Sequence, residues 1–96
     1  VKVVYHTLVQ KDLDEAWRYY ESASDGLGGQ FFAEFLSIIA TIQRNPKHWP
    51  PTAKGRRVAL FNRFPYKLLY RVQNEQVKIL VVRHQKRSPR FGDKRW

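Results

Sequence analysis

The chain has 96 residues, 43% of them hydrophobic and 15% aromatic, enough for one packed domain over residues 1–96. It has no cysteine, which excludes a disulfide framework, a thiolate metal site and a cysteine nucleophile, and no apolar run approaches the ~20 residues a membrane span needs. Its net charge of +10 is unevenly spread: residues 1–48 hold five Lys or Arg against six acids, a net of −1, and residues 49–96 hold thirteen against two, a net of +11. A field of that kind attracts polyanions, such as nucleic acid or an acidic protein.

The opening "VKVVYH" alternates as a short strand, and Thr7 stands where it could cap a following helix, with Gln10 in the capping-box position. That helix is predicted to about Ser24, with Leu13, Ala16, Trp17 and Tyr20 on one apolar face. Three glycines in "SDGLGG" (24–29) make a tight turn. A second helix to Arg44 carries Leu27, Phe31, Phe35, Ile38, Ile39 and Ile42 as a broad apolar stripe, and Asn45-Pro46 ends it. The two helices should form an antiparallel hairpin.

"NPKHWPPTAKG" (45–55) reads as an extended loop. Strands are predicted at Arg57–Asn62, Tyr66–Val72 and Val77–His84, the last two joined by "QNEQ". Tyr66, Leu68, Tyr70 and Val72 share one face of the middle strand, and Lys67, Leu69 and Arg71 the other. The expected fold is therefore α+β, β-α-α-β-β-β, an antiparallel sheet with the helical hairpin packed on one face and basic side chains on the other. In the tail "RSPRFGDKRW", Phe91 and Trp96 are expected to fold back over the sheet edge rather than stack on bases.

Candidate chemistry centres on His84, which ends the last strand among cations. Neighbouring positive charge favours its neutral form, the form a general base beside a phosphodiester needs. Arg63, Arg71 and Arg87 could surround the phosphate, since guanidinium binds it bidentately. The same spacing fits a strand-end histidine with a satisfied hydrogen bond. His6, His48 and His84 have no metal-ligand spacing, so neither metal nor cofactor is expected. Arg57, Lys67, Arg83, Lys86, Arg90 and Trp96 are the candidate surface for a target or a partner.

The segment from Arg63 to Trp96 resembles the C-terminal half of the RelE/ParE toxin superfamily of bacterial type II toxin–antitoxin systems. Arg63, Phe64, Pro65 and Tyr66 open a strand, an aliphatic hairpin follows, and His84, Arg87, Pro89 and Trp96 close the pattern. "DLDEAWRYYE" and "FFAEFLSIIATIQRNP" resemble the family's two helices. The resemblance implies a cytoplasmic toxin neutralised by a cognate antitoxin, as a homodimer or a toxin–antitoxin heterotetramer, with no membrane partner.

Its target would be DNA gyrase, captured without catalysis, or mRNA on the ribosome, cut by an endoribonuclease using His84, Arg87, Arg63 and Arg71. Val58 and Leu60 stand where the nucleases carry paired lysines, and no tyrosine follows His84. The ending looks more like the ParE branch. The expectation is thus a ParE-like gyrase poison, with a ribonuclease as the alternative and a plain nucleic-acid-binding domain as a third reading.

Overall fold

A computed structural model describes residues 1–52 and 54–96; Ala53, in the loop expected over 45–55, lies outside the described residues. The elements are β1 (Lys2–Tyr5), α1 (Val9–Ala23), α2 (Leu27–Arg44), β2 (Arg57–Leu60), β3 (Tyr66–Gln73) and β4 (Gln76–His84). The strands form one sheet in the order β1-β4-β3-β2. The helical hairpin packs on one face of it.

The sheet is mixed, where an antiparallel one was expected: β2–β3 and β3–β4 are antiparallel, but β1 runs parallel to β4. The direction of α1 explains the difference. After β1 ends beside Ile79, α1 continues along β4 instead of doubling back, so that Asp12 reaches Val82 and Tyr20 touches Tyr66, the partner of His84. From α1 onward, α2, β2, β3 and β4 alternate in direction, which leaves β4 parallel to β1.

α1 starts at Val9 without a side-chain cap from Thr7. His6 does the work instead, its Nδ1 accepting from the Leu8 N–H at 3.2 Å and its carbonyl from the Val9 N–H at 3.0 Å. The helix begins two residues beyond Thr7, so the hydroxyl is out of place for the first orphan amides. The buried stripe of α1 is Val9, Asp12, Leu13 and Ala16, and Trp17, expected in the core, is instead exposed on its flank. Gly28 of α2 lies against Trp17: a Cβ there would come within 2.8 Å of the indole and of the Trp17 carbonyl oxygen, so the close approach of the helices requires glycine.

The α2 stripe is buried as its periodicity predicts, through Phe31, Phe35, Ile38 and Ile42. These pack on Ala59, Phe61, Leu68, Tyr70, Val77, Ile79 and Val82 from the sheet. β2 stops at Leu60 rather than Asn62 because Glu34 of α2 takes the Asn62 and Arg63 N–H groups. In the β3–β4 turn Asn74 and Glu75 both have positive φ, the left-handed pair that suits a two-residue hairpin.

The hairpin register steps between Leu69↔Val81 and Tyr70↔Ile79, leaving Leu80 unpaired. This bulge changes the phase of β4. Leu80 and Val81 both face away from the helices, joining Leu69 and Val58 in a second, smaller core. Residues beyond the bulge are re-aimed, so that Val82 faces the helices. The tail folds back as expected and covers the second core with Phe91, while Gly92, at φ +80°, lies close against Val81. Trp96 stays half exposed, edge-on to His6 with ring centres 5.0 Å apart.

A buried ion pair helps fasten this tail. β1 pairs with β4 only as far as Ile79, so the Leu80 carbonyl and Val82 N–H face an open edge. Asp12 accepts from the Val82 N–H at 3.1 Å, and the Arg95 guanidinium donates to the Leu80 carbonyl at 3.1 Å and to Asp12 at 2.6 and 3.2 Å. Both side chains are more than nine-tenths buried. Asp12→Ala would leave the buried Arg95 guanidinium without its counter-charge and the Val82 amide without its acceptor, and the expected loss of stability is about 3–5 kcal/mol, measured by urea denaturation.

Candidate functional site

His84 faces the helix side at the top of β4, where its ring meets Tyr66 edge-on at 5.3 Å. Its Nδ1 accepts from the Lys86 N–H at 3.0 Å, and its carbonyl accepts from the Arg87 N–H at 3.0 Å, so the residue organises the turn that leaves the strand. Arg87 lies over the Phe91 ring at 3.9 Å, with Arg95 on the same ring at 5.2 Å. His84, Arg87 and Phe91, together with Glu15 and Tyr66, border a hollow of only about 50 Å³. Burial raises the Tyr66 pKa above the usual phenol range; Tyr20 and Tyr19 add to the rise and the nearby Arg87 opposes it.

The remaining candidate residues do not converge there. Arg63 is exposed in the β2–β3 connection, donating to Gln30 at 2.6 Å and lying over Phe64. Arg71 pairs across the hairpin with Lys78, whereas His84 pairs with Tyr66. That separation is five residues along β3, roughly 17 Å, and Arg71 is on the opposite face.

Two candidates for an exposed binding surface are placed otherwise. Arg83 is buried, its guanidinium donating to the carbonyls of Pro89 (3.0 Å) and Phe91 (2.7 Å). It holds the tail; burial lowers its pKa, Arg56 lowers it further, and Asp93 opposes. Arg57 points to the helix side and donates to the Trp49 carbonyl at 2.6 Å. Lys86, Arg90 and Trp96 are exposed, and Lys67 is half-buried on the face away from the helices.

The residues that sequence reasoning missed are those that fix the tail. Asp93 accepts from Arg56 at 2.9 Å and from Lys54 at 3.2 Å. These hydrogen bonds, Arg56 first, hold its carboxyl below the ordinary range while desolvation opposes them. Asp12 carried a signal, an acid inside an apolar helical stripe, but nothing local named Arg95 as its partner. Among the described residues no group of acids and histidines could hold a metal ion, and no helix is long and apolar enough to cross a membrane.

The Asp93 clamp should be acid-sensitive. With a folded pKa below the unfolded value of 3.8, its contribution is complete above that pH and fades as pH falls through the lowered folded value. Denaturant titrations of wild type and Asp93→Asn should therefore differ near neutrality, with the difference shrinking below pH 3.8.

The family model for the ParE toxin of type II toxin–antitoxin systems, parDE, matches residues 3–89. Toxin ParE2 from two strains of Mycobacterium tuberculosis, CDC 1551 / Oshkosh and H37Rv, is 31% identical over 85 residues, covering 88% of this chain and 81% of each relative. A chain from the chromosomal ParDE system of P. aeruginosa superposes with a TM-score of 0.73 at 17% identity, over 88% of this chain and 95% of that one, a likeness of fold.

Proposed function

The chain belongs to the ParE toxin family of type II toxin–antitoxin systems, and from that premise we propose that it is a cytoplasmic poison of DNA gyrase. In this reading it captures the enzyme on cleaved DNA and does no chemistry of its own. The observation that carries the reading is the dispersal of the cations a phosphodiesterase would gather around His84. Arg63 is engaged with Gln30 and Arg71 lies on the other sheet face, while His84 Nδ1 is committed to the turn it caps. A dispersed set cannot stabilise one pentavalent phosphate.

Family membership implies a cognate antitoxin. We place it on the exposed apolar strip formed by Tyr5, Phe32 and Leu36, which borders a groove of about 410 Å³ between β1 and the helices. Lys86, Arg90 and Trp96 remain for the target.

One observation favours the ribonuclease alternative: Tyr66 stands beside His84, supplying from β3 the tyrosine that no residue after His84 provides. The two readings separate in one pair of assays. Purified toxin should accumulate linear plasmid in a gyrase cleavage reaction and leave ribosome-bound message intact. His84→Ala should retain gyrase poisoning to within about twofold, whereas loss of a catalytic acid–base group would cost on the order of 10²-fold. Cleaved message, lost on His84→Ala substitution, would establish the ribonuclease instead.

A further inference from the structure

The sheet face turned away from the helices carries cations in a pattern that works against folding. The hairpin register sets Arg71 directly opposite Lys78, and Lys67 directly opposite Arg83. Like charges in cross-strand pairs are destabilising. Arg56, the residue before Arg57 and just outside β2, continues the direction of the Arg57–Tyr70 pairing toward Arg71, so Arg56 follows Arg71 and Lys78 in one line over this face. Neighbouring strands are about 4.8 Å apart, which brings Arg71 close to Lys78 on one side and to Arg56 on the other, while the Lys78 ammonium also donates to Gln73 at 3.3 Å.

The cations are incompletely satisfied. Nε of Arg71 and Nε of Arg83 are buried without hydrogen-bond partners among the described residues. Asp93 is the one carboxylate in ion-pair contact with this group among them, touching Arg56 and Lys54. Its side chain keeps 31% of its exposure and that of Lys54 keeps 66%, so this end of the row opens to solvent.

We propose that Lys54, Arg56, Arg71 and Lys78 form a binding site for the phosphodiester backbone of nucleic acid, with the Asp93 carboxylate as its built-in occupant. A phosphate oxygen would take the place of the Asp93 carboxylate on Lys54 and Arg56 and extend to Arg71. Only a side-chain rotation of Asp93 is required, because Phe91 and Arg95 anchor the tail on either side of it.

A nucleic-acid strand suits this face better than an acidic protein segment. The apolar residues Leu69, Leu80 and Val81 are already covered by Phe91, which leaves cations and few of the hydrophobic anchors that protein partners use. From Lys67 to Arg71 the face also runs four residues, about 13 Å, long enough to meet several phosphates spaced about 3.4 Å along the axis of one strand. The site deepens the gyrase reading, since gyrase presents DNA. It does not depend on that reading.

The test uses the full chain, without gyrase, and a fluorescein-labelled duplex of mixed sequence, with affinity read by anisotropy between about 50 and 200 mM salt. Asp93→Asn keeps a hydrogen-bonding oxygen but frees the cations; it should bind duplex about tenfold more tightly at low salt, with a log–log salt slope steeper by about one. Arg71→Gln should weaken binding and flatten the slope by about one. Asp25→Asn, which removes an equal charge in the turn between the helices, should leave the affinity unchanged, with circular dichroism confirming that all variants are folded.

Three results would overturn the proposal: no gain in Asp93→Asn, an equal gain in Asp25→Asn, or a gain toward polyglutamate but not duplex. The expected gain, found together with a wild-type toxin that fails to trap gyrase, would uphold the site and retire the gyrase reading.

Discussion

The open edge of β4 is the constraint on which the rest of the molecule depends. β1 is four residues long and abandons its partner at Ile79, although β4 runs on to His84. Backbone groups left there must find partners or be exposed to water, and these lie against the core. Asp12 and Arg95 satisfy them with one interaction between the first helix and the last turn of chain. A buried ion pair gives little net stability compared with a well-packed apolar pair. What this one supplies is position. It brings the tail back across the sheet, and Arg95 fixes its far end while Arg83 holds the Phe91 carbonyl and Arg56 holds Asp93.

That geometry divides the second half of the chain into two electrostatic regions. Around His84 and Arg87 the tail provides an aromatic floor, and both Arg87 and Arg95 rest on the face of Phe91. On the sheet face, the line of Arg56, Arg71 and Lys78 meets one carboxylate in ion-pair contact among the described residues, Asp93 on Arg56. The +11 excess charge of residues 49–96 is therefore not a uniform solvated coat. Part of it is consumed structurally, in the Arg83 strut, the Arg95 clamp and the Arg57 bond to Trp49. Most of the remainder lies on the tail and on the sheet face behind it, with Arg63 apart in the β2–β3 connection.

Much of the fold was legible because local rules and packing agree. The α2 stripe, the Asn-Pro stop and the alternation of Tyr66 to Val72 each have a short-range cause, and the connection expected over "QNEQ" tightens to a turn at Asn74 and Glu75. The same turn makes Arg71 and Lys78 neighbours, so the cationic row could have been found by counting back from Asn74. The parallel sense of β1 could not, since it depends on which way α1 leaves a four-residue strand. The bulge at Leu80 was equally hidden within "VKILVV", where every residue is apolar and periodicity carries no phase. For the candidate site, His84 and Arg87 were found by chemistry and proved adjacent, but the burial of Arg83 follows from a tail contact that spacing does not encode. Asp12 and Arg95 are 83 positions apart, and no local signal joins them.

The tail clamp is tested most directly at the Val82 amide, which donates to the Asp12 carboxylate held by Arg95. Native-state hydrogen exchange read residue by residue would measure it in wild type and in Arg95→Ala. Val82 should exchange as slowly as the strand-paired amides of β4 in wild type, and Arg95→Ala should accelerate Val82 and the amides of residues 90–96 together. A Val82 amide that exchanges freely while the rest of β4 is protected, or one that Arg95→Ala leaves unchanged, would contradict the clamp.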